Sequence, residues 1–122
     1  MNIEPYLASL YDKLQEMEGL ITSKTIQQEI DGNLRIGFIK GFVAFIDGSR
    51  LDFTEQLPTE RCKFRFHFMD NQQNLIVRWD SAPHHKELST FPFHKHTEKG
   101  AEEHRSLTLL QTLEEIYKMI IL

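Results

Sequence analysis

The sequence predicts an α+β fold: a mostly antiparallel meander of five or six strands with one helix at each end, within a single domain spanning residues 1–122. Three observations carry this. Apolar residues recur at helical spacing near both ends. The middle is a series of alternating runs, rich in β-branched and aromatic residues. Turn dipeptides separate those runs, so consecutive strands are expected to pair as neighbours.

In the first helix, Ile3, Leu7, Leu10, Leu14, Met17 and Ile21 are spaced alternately by four and three residues, which lines one helical face. Pro5 suits the first turn and Gly19 the end, so the helix is expected over residues 4–18. Asp31-Gly32 and Asp47-Gly48 are hairpin signals that divide strands at 25–30, 34–46 and 50–54. Gly37 and Gly41 suggest a bulge or bend in the middle one. Ile36, Phe38, Phe42, Ala44 and Ile46 are assigned to the core.

Residues 63–68 then alternate throughout: Phe64, Phe66 and Phe68 face inward, and Lys63, Arg65 and His67 outward. Their partner is residues 75–80. Leu75, Val77 and Trp79 must share the phenylalanine face, because a one-residue slip would expose the whole set. A four-residue loop, 70–73, with residue 69 pairing 74, meets that demand. It sets Arg65 opposite Arg78 and Lys63 opposite Asp80. Like charges face to face are unfavourable unless an anion lies between them. The outer face thus reads as an anion platform of Lys63, Arg65, His67 and Arg78, or as an ordinary solvated face.

Residues 97–105 are polar and loop-like. Thr108 and Gln111 form a capping box for a final helix. Leu109, Leu113, Ile116 and Ile120 make its stripe, widened by Leu110, Tyr117 and Ile121; core packing or a homodimer or partner interface would each use it.

The charge is unevenly spread. Residues 1–60 carry five Lys/Arg against ten Asp/Glu; residues 61–99 carry seven against four, with five histidines; residues 100–122 carry two against four. A local basic patch on an acidic body suits a small anion or a single strand better than a long duplex. No run approaches the ~20 apolar residues of a membrane span. The start lacks the pattern of a secretion signal. Cys62 is alone, and a reducing cytoplasm is expected. A lone strand cysteine is more often a small core residue than a nucleophile.

The richest chemistry lies in residues 78–96, which hold four of the six histidines, two of the four prolines and the only tryptophan. Pro83 precedes His84 and His85, and Pro92 precedes His94, Lys95 and His96, so each proline restrains the chain ahead of its histidines. Three uses fit. In metal-independent RNA cleavage, two histidines such as His85 and His96 serve as base and acid, with Lys95 and Arg78 on the phosphate. Histidine suits both roles because it titrates near neutrality. Trp79 or Phe91 is available for base stacking, although strand phase favours core burial for Trp79. In a metal site, the histidines with Asp80 or Glu87 would act as ligands. Lys95 between two of them and the lack of a compact motif argue against this, so no metal or cofactor is expected. In a non-catalytic binding module, the rings would only order a loop.

Trp79-Asp80, Ala82-Pro83-His84-His85, Leu88, Thr90-Phe91-Pro92 and His94-Lys95-His96 resemble the signature of the TumE-like toxin family, within a match over about residues 24–120. The resemblance implies the toxin half of a toxin–antitoxin module, arresting growth by RNA cleavage and partnered by a helix-turn-helix antitoxin. It carries over Asp80, His84, His85, His94, Lys95 and His96 as site positions. Phe93 departs from the pattern, where many members have a polar residue or His.

Overall fold

A computed structural model describes residues 2–33, 35–59, 63–81 and 87–122. Among the described residues, helix α1 (Ile3–Glu16) runs into a single 3-10 turn (Glu18–Leu20). Seven strands follow: β1 (Ile21–Ile30), β2 (Gly37–Phe45), β3 (Arg50–Leu57), β4 (Phe64–Met69), β5 (Leu75–Asp80), β6 (His94–Thr97) and β7 (Gly100–Glu103). Helix α2 (Leu109–Ile121) follows β7. The strands lie in one antiparallel sheet in chain order, so the α+β meander holds with seven strands instead of five or six.

The added pair is β6–β7, within a stretch expected to be mostly loop. Lys95, Glu102 and Glu103 leave these short strands without hydrophobic alternation, as suits an edge hairpin kept charged against unwanted pairing. Glu98 and Lys99 turn the chain, and Gly100, which opens β7 opposite Thr97, has a φ of 107°.

Both helices cover one face of the sheet. Leu10, Leu14 and Met17 from the α1 end, and Leu109, Leu113 and Ile116 from α2, join Leu51, Phe53, Phe64, Phe66, Phe68, Val77 and Trp79 in one core. Thr108 caps α2 with its side chain on the Gln111 N–H, and Gln111 returns the bond, completing the expected capping box.

In β2 the phase is the reverse of the expected one. Ile39, Val43 and Phe45 are buried, whereas Ile36 and Ile46 are 62% and 58% exposed and Phe38, Phe42 and Ala44 line the other face. Both faces of this run are apolar, so alternation does not choose between them; pairing of Val43 with Leu51 does. Leu34, the expected start of this strand, lies outside the described residues. Gly41 makes no bulge, since pairing continues through it. It is required because a Cβ there would come within 1.9 Å of the Thr25 carbonyl oxygen. Strand β3 runs three residues beyond the expected end at 54, because Glu55 occupies a buried position and breaks the apolar alternation.

The β4–β5 register also differs. Asp70 N–H donates to the Asn74 carbonyl, and Asp70 Oδ1 accepts the N–H groups of Gln72 and Asn74, closing a tighter loop than the one expected. Met69 pairs with Leu75 and Phe68 with Val77, so Ile76 is an extra residue in a bulge. The two steps preserve the core face, with Phe66 opposite Trp79, but place Asp80 opposite Arg65 and Arg78 opposite His67. The expected Arg65–Arg78 and Lys63–Asp80 pairs do not form.

Candidate active site

Side chains between the core positions project from the face the helices leave open. The registers align them in two adjoining rows. One contains Phe42, Asp52, His67, Arg78 and His96; the other contains Lys40, Thr54, Arg65, Asp80 and His94. Every ionisable group expected at the site from β4, β5 and β6 is therefore on this face, apart from Lys95. Lys95 pairs with the core residue Trp79, and its alternation sends it to the other side.

Asp80 is the centre of the arrangement. It is only 3% exposed, and its Oδ2 accepts from Arg78 Nε at 2.9 Å. Its Oδ1 lies 2.7 Å from Nε2 of His94, which is 2% exposed. On the opposite side of that ring, Nδ1 lies 3.0 Å from the Pro92 carbonyl. A carbonyl only accepts, so Nδ1 carries a hydrogen, and Nε2 is left facing the Asp80 carboxylate. The Pro92 carbonyl and the Asp80 carboxylate thus hold the imidazole from both sides. The half-buried His96 stands beside it, ring centroids 4.7 Å apart and planes at 80°.

His67 sits across Arg78 from His96, in the same row. Burial, then Arg65 and Arg78, push its pKa below the ordinary histidine range, against a smaller opposing pull from Asp52. Its Nδ1 is buried and has no hydrogen-bond partner among the described residues. Such an imidazole is neutral near pH 7 and can accept a proton.

Lys63 and Arg65 are exposed at the start of β4. They line a hollow of about 370 Å³ together with Thr54, Asp80 and Ser81. Phe91 is exposed, whereas Trp79 belongs to the core. Among the described residues, Asp80, His94 and His96 each offer a ligand atom, all within 4.8 Å of one another, so this trio could hold a metal ion. Glu87 is not in that group. His84, His85 and Cys62 lie outside the described residues. Sequence reading missed Lys40 and Asp52 on this face; the misassigned phase of β2 hid the first, and only the strand register could reveal the second.

The fold and this face define a small α+β protein whose open sheet surface gathers imidazole, carboxylate and guanidinium groups suited to proton transfer beside an anion. The chain belongs to the family described as Toxin TumE, whose model matches residues 9–121. It is the toxin of a toxin–antitoxin module, with an antitoxin as partner. No curated protein and no solved structure matches the chain. No helix among the described residues is long and apolar enough to cross a membrane.

Proposed function

We propose that this toxin is a metal-independent endoribonuclease acting on single-stranded RNA. The observation that carries the reading is the row His67–Arg78–His96, backed by the buried Asp80–His94 pair. Two imidazoles flank a guanidinium, with β4 and β6 separated by about 10 Å, two strand spacings. A phosphodiester bound at Arg78 would lie between them.

In this mechanism neutral His67 removes the proton of a ribose 2′-OH. The freed oxygen attacks the adjacent phosphorus. Arg78 and Arg65 stabilise the charge that builds on the phosphoryl oxygens. His96 gives a proton to the departing 5′-oxygen, leaving a 2′,3′-cyclic phosphate and a 5′-hydroxyl. Asp80 and His94 are positioning residues that fix His96 and Arg78. The sequence brings His84 and His85 into the chain just after Ser81, and the proposal keeps them as further proton-transfer candidates, with Lys63 as a phosphate contact. The antitoxin is proposed to be a helix-turn-helix protein and the compartment the cytoplasm, where a lone thiol is at ease.

The test is incubation of purified protein with a transcript in EDTA. Cleavage that His96→Ala and His67→Ala each abolish supports the proposal; an intact transcript at high protein concentration rejects it. The convergence of Asp80, His94 and His96 favours a second reading, a metal-dependent hydrolase. Cleavage that appears only with added divalent metal would select it. A third outcome, growth arrest that survives all single histidine substitutions, would point to a non-catalytic binding module.

A further inference from the structure

The open sheet face continues past the candidate active site onto β2 and β3. There it forms a separate groove of about 360 Å³, lined by Thr25, Lys40, Phe42, Arg50, Asp52 and Arg65, among others. The half-buried Phe42 stands among Lys40, Arg50 and Asp52 in this groove. The Arg50 guanidinium lies over its ring, 3.9 Å from the centroid. Asp52 Oδ1 accepts from Arg50 Nε at 2.8 Å and holds the guanidinium there. The result is a preformed flat platform: an aromatic ring topped by an oriented guanidinium plane. Lys40 and Arg65 border it and make no ion pair among the described residues. Arg65 and Thr54 also line the hollow next to Asp80, so the two depressions adjoin.

We propose that this groove binds an unpaired nucleotide flanking the phosphate to be cut, with a base stacked on the Arg50–Phe42 platform and its phosphate on Lys40 and Arg65. The proposal rests on the ribonuclease reading for its substrate. Unstacked bases lie readily on aromatic rings and guanidinium planes, and the interaction tolerates any base. Three strand spacings, about 14 Å, separate β2 from β5. The groove therefore takes a neighbour of the reacting nucleotide and not that nucleotide itself. Cations along the track supply the phosphate contacts that a single strand needs.

The experiment measures fluorescence anisotropy of a fluorescein-labelled 2′-O-methyl oligouridylate, which cannot be cleaved through its 2′-oxygen, with the full chain in EDTA. Arg50→Ala and Phe42→Ala are each expected to weaken binding by at least about fivefold. Lys40→Ala is expected to weaken it and to flatten its salt dependence. Should Phe42→Ala fail to fold, Arg50→Ala and Lys40→Ala, both at solvent-facing side chains, decide the matter. Unchanged affinity in folded Arg50→Ala and Lys40→Ala, or no binding by the unaltered protein, overturns the groove assignment. Equal competition by duplex RNA overturns it too, because paired bases cannot reach the platform. RNA cleavage with unaltered binding in these variants would remove the groove and leave the nuclease standing. Groove-dependent binding without cleavage would do the reverse.

Discussion

His94 Nε2 lies 2.7 Å from Asp80 Oδ1, and Asp80 Oδ2 takes the Arg78 Nε–H at 2.9 Å. One buried carboxylate therefore sets two side chains on neighbouring strands. A paired buried charge is costly to break from one side, because the remaining partners keep their desolvation cost. Asp80→Ala is expected to lower unfolding free energy by about 3 kcal/mol in urea denaturation. Asp80→Asn keeps the shape but not the charge. It should melt closer to the wild type while losing growth arrest on expression; unimpaired arrest would remove Asp80 from the site.

His67 gives a pH prediction. Burial, Arg65 and Arg78 hold its pKa below the ordinary value. The unfolded chain therefore takes up a proton more readily than the folded one. The stability this contributes is present above the unfolded pKa of about 6.5 and is lost as pH falls toward the folded value. The His67 ring protons should titrate in NMR below the usual histidine midpoint. Arg65→Ala should raise that midpoint, and His67→Gln should lessen the loss of stability on acidification. A His67 midpoint at or above the ordinary one would contradict its proposed role as the neutral base.

Glu55 is fully buried under the first turn of α2. Its Oε2 accepts the Leu109 N–H at 3.0 Å and the Thr59 hydroxyl, and its Oε1 accepts the Tyr6 hydroxyl at 2.7 Å. A carboxylate at a helix N-terminus meets both the unpaired N–H groups and the positive end of the dipole. Burial and Glu55 push the Tyr6 pKa well above its usual value, so Tyr6 remains a donor at any working pH. Glu55→Gln should cost about 2 kcal/mol in chemical denaturation, since an amide cannot accept all these donors. Tyr6→Phe should cost about 1 kcal/mol.

Gly41 lies against Thr25 so closely that any side chain collides with backbone. Gly41→Ala is expected to destabilise the β1–β2 pair by about 2 kcal/mol or more and to reduce the soluble yield. Gly19→Ala, where nothing lies within 4 Å of the added Cβ, is the matched control and should be close to neutral.

The sequence makes some of this legible. Helical spacing finds both helices, and the Thr108–Gln111 box marks where α2 starts. Faultless alternation finds β4 and its buried face. It does not resolve β2, whose two faces are both apolar, nor the buried carboxylate that lengthens β3. The β6–β7 hairpin, with charged edge residues, carries little hydrophobic signal. The residue types are legible in the sequence: Asp80, His94, His96, Arg78, Arg65 and His67 stand out there as candidates, and the registers place them on one face. Their geometry is not legible, because Asp70 closes its loop with its own side chain and Ile76 bulges, a combination that moves Arg65 from Arg78 to Asp80. Lys95 stands beside His94 and His96 in the sequence, but strand alternation separates it from them.

The most direct measurement is the chemistry of the RNA ends left by the purified toxin in EDTA, read by mass spectrometry of a short defined oligoribonucleotide. Acid–base attack by the 2′-oxygen predicts a 2′,3′-cyclic phosphate on one fragment and a 5′-hydroxyl on the other, lost in His96→Ala, with the all-deoxy analogue uncut. Fragments bearing a 3′-hydroxyl and a 5′-phosphate, or cleavage of the deoxy analogue, would contradict it.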